Sequence, residues 1–347
     1  MTTSAEDEAA PASSRRPRIR LGRGAEFDLV RAFLGPEGPL PEAVRVGPGD
    51  DALVLEDGVV ISCDLSVEDV HFRRSWLTFQ EIGYRAAAAA LSDLAGMAAE
   101  PLGVLVSLAI SPSEAESVGT ALHAGVHEAL ASVEGALLGG DLSASPAPLV
   151  LDVVAVGRAD EPALRDGARP GDEVWVTGRL GGAAGAVRVW EGGGEPGPGL
   201  RKAFARPRPR IREARWLVRE GRVRALLDLS DGLAGDAGHL AAAGGVRVVL
   251  EAAAIPVEPG LEAGAAPGEA LDLALRGGED YELLLAAAPG SVEELVDEFA
   301  LRFGTPLTRV GRVEAGEGVH LARGEDGRPT PLDLGGFDHF AAGDGGR

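Results

Sequence analysis

The stretch Gly139-Gly140-Asp141 follows the apolar run Ala136-Leu137-Leu138 and ends it in a carboxylate. If elements of this kind meet in the fold, their carboxylates form one cluster, here called the carboxylate basin. Hard divalent cations such as Mg²⁺ take oxygen ligands from carboxylates, waters and substrate phosphates. The pattern therefore predicts a phosphotransferase that uses Mg·ATP. Acidic residues end apolar runs in four other segments: Gly49-Asp50-Asp51, Ser62-Cys63-Asp64, Leu91-Ser92-Asp93 and Asp228-Leu229-Ser230-Asp231.

Length and charge limit the classes of protein to consider. A chain of 347 residues is long enough that two domains are the default expectation. The net charge of -21 argues against binding to a nucleic-acid backbone, which needs a clustered basic face. We therefore expect no nucleic-acid partner.

The basic residues are almost all arginine, and Lys202 is the sole lysine. A Walker loop needs a lysine after its glycines, and a protein kinase needs one on a strand. Lys202 fits neither pattern. If the chain handles ATP, metal ions and arginines must neutralise the phosphate charge.

One cysteine, Cys63, excludes an intramolecular disulfide, and a reducing cytoplasm is the expected location. The first residues lack the apolar core of a signal peptide, and no run of about 18 apolar residues suggests a membrane span. We predict a disordered tail over residues 1–24.

Alternating strand and helix patterns predict an α/β protein built from α+β layers in two halves. The first half, residues 25–157, combines strands with a helix from Thr78 to Met97, in which Thr78 is the N-cap and Glu81 completes a capping box. The small side chains of Ala86–Ala90 permit another element to approach this helix closely. The second half, residues 158–347, is predicted to be a second α/β domain that completes the substrate site.

Each signal also has a simpler structural interpretation. Asp50-Asp51 after a glycine is typical of a solvated turn, and Ser230-Asp231 is typical of a helix N-cap. His71 lies either in the site or in the core. For three acidic residues in Gly277–Glu282, the alternatives are a charged strand edge and substrate recognition. Other candidates are the possible phosphate-binding residues Arg165, Arg206, Arg208 and Arg210, and the expected surface residues His123 and His127.

Taken together, the motifs resemble those of the thiamine-monophosphate kinase family. They occur in the family's order over about residues 25–340. The segments are Gly47-Pro48-Gly49-Asp50-Asp51-Ala52, Asp64 to His71-Phe72, Leu91-Ser92-Asp93-Leu94-Ala95, Gly139-Gly140-Asp141, Asp228-Leu229-Ser230-Asp231-Gly232-Leu233, Gly277-Gly278-Glu279-Asp280-Tyr281-Glu282-Leu283 and Gly336-Phe337-Asp338-His339-Phe340.

The resemblance implies transfer of the ATP γ-phosphoryl group to thiamine monophosphate. It implies the two-domain fold of aminoimidazole ribonucleotide synthetase and a homodimer joined through the N-terminal sheets. Several Mg²⁺ ions would be held by Asp51, Ser62, Cys63, Asp64, Asp93, Asp141, Asp228 and Asp231, with Asp64, Asp141 and Asp228 central to catalysis. ATP would contact Gly140, Asp141, Arg165 and Ser230, and the thiamine moiety would contact His71, Glu279 and Phe337.

The chain departs from the family pattern in three places. Cys63 replaces a frequent threonine, Leu142-Ser143-Ala144 replaces a common Thr-Thr-Arg, and Gly181-Gly182 lacks a frequent aspartate. Two alternatives are a cyclase of the same fold, like aminoimidazole ribonucleotide synthetase, and a non-catalytic sensor of nucleotide or thiamine phosphate. Selenophosphate synthetase and the hydrogenase-maturation dehydratase share the fold, but this chain lacks their terminal cysteines.

Overall fold

The structure is a computed structural model, and it describes residues 18–22, 25–36, 38–261, 266, 268–324 and 327–333. The predicted tail and Phe337 lie mostly or wholly outside these residues. No helix among the described residues is long and apolar enough to cross a membrane.

The first half of the chain forms a six-stranded sheet in the order β1-β2-β3-β6-β4-β5. All neighbouring strands are antiparallel except β4 and β5, which are parallel. The elements are α1 (Ala25–Leu34), β1 (Val44–Val46), β2 (Leu53–Leu55), β3 (Val59–Val67), α2 (Phe79–Gly96), β4 (Glu100–Ile110), α3 (Ala115–Ser132), β5 (Ala136–Ala144) and β6 (Val150–Arg158).

The two faces of this sheet differ. Side chains alternate along each strand, so Val60 and Ser62 of β3 point toward the helices and are buried. Cys63 and Leu65 point to the other face, here called the open face, and both are exposed. Helices α2 and α3 therefore cover one face only.

Helix α2 lies at the centre of the molecule. It contacts α3, β3 and β6 of the first sheet, and it also contacts elements of the second half of the chain. The predicted capping box at Thr78 is confirmed: Glu81 N donates to the Thr78 hydroxyl at 3.2 Å, and Thr78 N donates to the Glu81 carboxylate at 2.9 Å. Ala86, Ala87, Ala88 and Ala90 are fully buried, which confirms that small side chains pack this helix.

The second half forms a seven-stranded sheet in the order β13-β12-β9-β11-β7-β10-β8, in which only β12 and β9 are parallel. The elements are β7 (Glu173–Thr177), α4 (Gly182–Glu191), α5 (Pro198–Ala205), α6 (Ile211–Glu220), β8 (Val223–Asp228), α7 (Leu233–Gly244), β9 (Arg247–Glu251), α8 (Glu269–Arg276), β10 (Leu283–Ala287), α9 (Val296–Phe303), β11 (Leu307–Glu314), β12 (Gly318–Ala322) and β13 (Thr330–Pro331).

Two boundaries differ from the predictions. The sequence pattern ends β3 at Cys63 and ends the apolar run of β5 at Leu138, but both strands continue for several residues. Asp64 and Asp141 therefore lie inside strands, because β3 pairs with β6 over nine residues and β5 pairs with β4 through Ala144.

Candidate active site

The structure brings Asp51, Asp93 and Asp228 together where the two sheets meet on α2. Asp228 ends β8, Asp51 precedes β2, and Asp93 lies on α2, so three separate elements supply the carboxylates. The hydroxyl of Ser62 on β3 donates a hydrogen bond to the Asp93 carboxylate. Asp93 is the one residue of Ala86–Ala95 that solvent partly reaches, as expected for a side chain facing a cleft.

Gly96 permits this close approach of α2. A Cβ atom at Gly96 would lie 2.0 Å from Oδ2 of Asp51 and 3.1 Å from the backbone nitrogen of Asp228. Any side chain here would push apart two members of the basin.

The basin carboxylates are unfavourable as free anions. Burial, followed by the charge of neighbouring Asp51, raises the pKa of Asp228 to about 8. Burial also raises the pKa of Asp93 well above its usual range, and Asp228, Asp51 and Asp64 add to the effect. Oδ2 of Asp51 and Oδ2 of Asp228 are buried and have no hydrogen-bond partner in the described part of the chain.

Arg165 is the cation nearest to this group. Its guanidinium donates to Asp51 Oδ1, its Nε lies 3.5 Å from Asp50 Oδ1, and its backbone nitrogen donates to Asp50 Oδ2 at 3.2 Å. Burial raises the pKa of Asp50 to about 7 even though Arg165 opposes the shift. The arginine predicted to contact ATP is therefore paired with Asp51 of the basin and with the neighbouring Asp50.

A second acidic group adjoins the basin at the start of α7. Ligand atoms of Asp231, Asp236 and His239 all lie within 4.8 Å of one another. The backbone nitrogen of Asp231 donates to Asp236 at 3.1 Å, and His239 Nε2 lies 3.3 Å from Asp231. Asp231 was predicted as a site residue and the other two were not, although their spacing places Asp236 and His239 on one face of the helix.

Asp64 lies on the same face of the first sheet as Ser62, two residues away on β3. Burial raises its pKa to about 6, while Arg85 on α2 lowers it and Glu279 raises it further. Asp64 and Glu279 are therefore close enough to interact, and Arg85 lies near both. Arg85 was not predicted as a site residue.

The three acidic residues of Gly277–Glu282 have different partners in the structure. Both carboxylate oxygens of Asp280 accept from Gly181 N at 2.9 Å, at the start of α4. Glu282 accepts from the Thr177 hydroxyl at 2.7 Å and from Arg210 Nε at 2.8 Å. Asp280 and Glu282 are thus structural, and Arg210 is part of a buried network. Glu279 alone remains to face a substrate.

Asp141 lies on the open face. It pairs in register with Ser107 of β4, which pairs with Asp152 of β6, which pairs with Leu65 of β3. Residues paired in this way point to the same face, so Asp141 shares a face with Leu65 and not with Asp64. Three strand spacings, roughly 14 Å, also separate β5 from β3.

Other predicted site residues have simpler surroundings. The Cys63 side chain points to the open face, away from Asp64. His71 Nδ1 accepts a hydrogen bond from Val67 N at 3.1 Å in the turn after β3. A Cβ atom at Gly140 would lie 1.8 Å from the Val106 carbonyl oxygen, so the packing of β5 on β4 itself requires this glycine. Ser230 contributes its carbonyl oxygen, which accepts from Glu279 N at 2.7 Å.

A cavity of about 800 Å³ opens between α3 and the edge of the first sheet. Val106, Leu108 and Val126 contribute apolar walls, and Gly139 and Gly140 form part of its rim. His123 also lines this cavity, and it is exposed, as is His127, which confirms their prediction as surface residues. The size suits a small organic ligand.

The donor set of the basin fits a hard divalent cation. Its groups are carboxylates and a hydroxyl, and two buried carboxylate oxygens have no protein partner among the described residues. A bound cation would favour the ionised carboxylates and so reverse the effect of burial on their pKa values. No soft thiolate ligand competes, since Cys63 faces away.

Comparison with known proteins gives a consistent result. Family models described as AIR synthase related protein match residues 49–159 (N-terminal domain) and 169–323 (C-terminal domain). A thiamine-monophosphate kinase of Methanopyrus kandleri is 36% identical over 317 residues, covering 89% of this chain and 96% of that protein.

Solved structures agree with this similarity. AaThiL complexed with AMPPCP and TMP has a TM-score of 0.75 and 28% identity, covering 90% of this chain and 96% of that one. A thiamine-monophosphate kinase from Stenotrophomonas maltophilia has a TM-score of 0.72 and 33% identity, covering 90% of this chain and 99% of that one. The two-domain α/β fold predicted from the motifs is confirmed.

Proposed function

This chain belongs to the thiamine-monophosphate kinase family, and we propose that it transfers the γ-phosphoryl group of ATP to thiamine monophosphate, giving thiamine diphosphate and ADP. One observation carries the proposal: β8, α2 and the turn before β2 bring Asp51, Asp93 and Asp228 together in one buried basin. Clustered buried carboxylates are costly unless a ligand neutralises them, and Asp51 and Asp228 each have one oxygen without a partner among the described residues. The cytoplasm, expected from the cysteine usage, is the proposed location.

Several Mg²⁺ ions are the cofactors that this basin fits. Asp51, Asp64, Asp93 and Asp228 would hold them, with the Ser62 hydroxyl and Asp231 as further donors. Bound Mg²⁺ supplies positive charge that offsets the repulsion between two phosphate groups and the carboxylates. The positive charge that the protein itself contributes to the site comes from arginine, as expected for a chain with a single lysine.

The chain's own residues position the reactants. Phosphoryl transfer mainly requires in-line alignment and charge neutralisation. The acceptor is a phosphate monoester that is already anionic at neutral pH, so no general base is required. Arg165 fixes the side chains of Asp50 and Asp51 through ion pairs, and the Ser62 hydroxyl fixes that of Asp93 through a hydrogen bond. The carboxylate of Glu279 would bind the cationic thiamine moiety. Phe337 lies outside the described residues, and stacking of its ring on the thiamine heterocycle remains a prediction.

The cavity beside α3 is the proposed binding site for the nucleoside of ATP. Its walls are mainly apolar, as is typical of pockets for a flat base. Gly139 and Gly140 line the cavity without side chains, so a ligand can approach the backbone of β5 closely there.

A homodimer would account for the position of Asp141. Leu65 and Leu105 are exposed on the open face, and two copies that pack these faces together would bury both. β2 pairs with β3 only at Val60 and Ile61, so the part of β3 that carries Asp64 has a free edge in the described structure. We propose that β5 of a second copy lies along this edge and supplies Asp141 to the site.

The activity is tested with purified protein, Mg·ATP and thiamine monophosphate, following thiamine diphosphate and ADP together. We expect one ADP for each thiamine diphosphate, and neither product with Asp64→Asn. ADP without thiamine diphosphate would overturn the acceptor assignment and favour a cyclase of the same fold. Binding of ATP without either product would favour a sensor.

Mixing two inactive variants tests the shared site. Asp64→Asn and Asp141→Asn are each expected to form inactive dimers. Since a mixed dimer would contain one site with both aspartates, refolding the two variants together should restore roughly a quarter of the wild-type activity. An inactive mixture whose mixed dimers are verified by mass spectrometry would contradict supply of Asp141 by the partner.

A further inference from the structure

Arg85 is a buried cation that connects the two domains. It lies on α2 in the middle of the first domain, and 4% of the residue is exposed. Its Nη1 donates to the carbonyl oxygen of Phe204 at 2.5 Å, at the end of α5. Its Nη2 donates to the carboxylate of Glu279, which precedes β10. Both partners belong to the second domain.

Aromatic rings enclose the same guanidinium. Its Cζ lies 3.9 Å from the centroid of the Phe204 ring and 5.9 Å from that of Tyr281. A planar guanidinium can stack on a ring and donate in two directions at once, which a lysine ammonium cannot reproduce. Arg85 therefore has one well-defined position, set by four contacts.

Two of the partners of Arg85, Glu279 and Tyr281, lie on a strained loop. Glu279 has a φ of 59° and Tyr281 a φ of 50°, a region that side chains other than glycine rarely adopt. Backbone hydrogen bonds from Glu279 N to Ser230 O (2.7 Å) and from Tyr281 N to Leu229 O (2.8 Å) hold this shape. The loop thus directs Asp280 and Glu282 inward and leaves Glu279 and Tyr281 near Arg85. Strain of this kind occurs at binding sites.

We infer that Arg85 is a positioning residue of the acceptor site: it holds Glu279, across the domain boundary, in the orientation that the thiamine moiety of the acceptor requires. This inference rests on the proposed function. Glu279 has a 29% exposed side chain and is the acidic residue of its loop that has no structural partner in the second domain among the described contacts. Without Arg85, its carboxylate would be free to rotate into solvent.

If Arg85 only stabilised the domain boundary, its loss would resemble the loss of another arginine there. A matched cation lies on the same boundary: Arg201 of α5 donates to Glu81 of α2 at 2.5 Å and 3.0 Å. This pair also joins the two domains, but Glu81 caps the start of α2 and is no part of the proposed site. Loss of either arginine is expected to lower the melting temperature. Of the two, only the loss of Arg85 is expected to raise the KM for thiamine monophosphate.

The experiment measures KM for thiamine monophosphate and KM for ATP separately in Arg85→Gln, Arg85→Lys, Glu279→Gln, the Arg85→Gln/Glu279→Gln double variant and Arg201→Gln. Arg85→Gln should raise the acceptor KM about 10- to 100-fold, the range expected for a hydrogen bond to a charged group, and change the ATP KM less than about twofold. Arg85→Lys should recover part of this loss. The double variant should be no worse than Glu279→Gln, because one residue acts through the other.

Arg201→Gln is the matched control for loss of a cation at the domain boundary. Arg201→Gln should lower the melting temperature and leave both KM values within about twofold of wild type. Additive effects of Arg85→Gln and Glu279→Gln would overturn the inference, as would equal changes in both KM values. If Arg85→Gln does not fold, Arg85→Lys decides: an unchanged acceptor KM would overturn the inference. Absence of thiamine diphosphate with the wild-type protein would instead refute the proposed function.

Discussion

The buried carboxylates of the basin and those of the second domain differ in how fully protein groups pair with them. Asp228 and Asp51 are buried beside one another, and each has an oxygen without a partner in the described chain. Glu282 and Asp172 are equally buried, but Glu282 pairs with Arg210 and Thr177, and Asp172 accepts from Arg224 at 2.6 Å and from Arg169 N at 2.9 Å. Asp51 is also paired with Arg165, so the contrast is clearest for Asp228, which forms no ion pair among the described residues.

The comparison leads to a clear expectation for mutations. Neutralising a paired acid leaves its arginine buried without a counter-charge, so stability should fall while the site survives. Neutralising Asp228 removes like-charge repulsion without leaving an arginine unpaired, so the metal-free protein should keep its stability while activity is lost. Function and stability therefore oppose one another in the basin, as expected for an active site.

The largest expected effect is that of Glu282→Gln. Arg210 is 9% exposed and would lose its main counter-charge, so the free energy of unfolding should fall by about 3–5 kcal/mol. Urea unfolding measures this loss. For the folded fraction, the acceptor and ATP KM values should stay within about twofold of wild type. A protein of wild-type stability would show that partners do not distinguish the two groups of acids.

Asp228→Asn should reduce kcat/KM at least about 100-fold, equivalent to about 2.7 kcal/mol of transition-state stabilisation. Steady-state kinetics with saturating Mg²⁺ measures this effect, and Glu282→Gln is its matched control. The melting temperature of the metal-free variant should equal or exceed that of the wild type, because burial of Asp228 disfavours its ionised form. A lower melting temperature would indicate a structural role.

The smallest expected effect, taken over a single pH unit, is a change of stability with pH. The pKa of Asp228 is about 8 and that of Asp50 about 7 in the folded protein, above their ordinary value of 3.8. Between these limits the folded state keeps protons that the unfolded chain releases, so stability falls as pH rises from about 4 to 8. The slope is on the order of 1 kcal/mol per pH unit for each group.

Urea unfolding of metal-free protein between pH 5 and pH 8.5 measures this slope. Mg²⁺ should restore stability most at the high end, where the carboxylates are ionised. Asp228→Asn should flatten the curve, and Glu282→Gln should leave its shape unchanged. A metal-free protein that becomes more stable up to pH 8 would contradict the surroundings described for the basin.

Local patterns in the sequence were sufficient for much of the fold. The capping box at Thr78 and the acid at the end of β8 both depend on neighbouring residues, and the structure confirms them. The roles of the individual ligands remain predictions. Arg85 was missed because nothing near it in the sequence indicates its partners in the second domain, Phe204 and Glu279. Asp236 and His239 were missed although they lie three residues apart on α7.

The sequence by itself determined the family, the two α/β domains and the motifs that carry the acidic residues, because these are properties of segments and their order. Only the tertiary structure decided which acids meet. Strand order and register are long-range features, and a shift of one residue along a strand reverses the face on which a side chain lies. For that reason Asp64 faces α2 while Asp141, found in a similar motif, faces the open side of the same sheet.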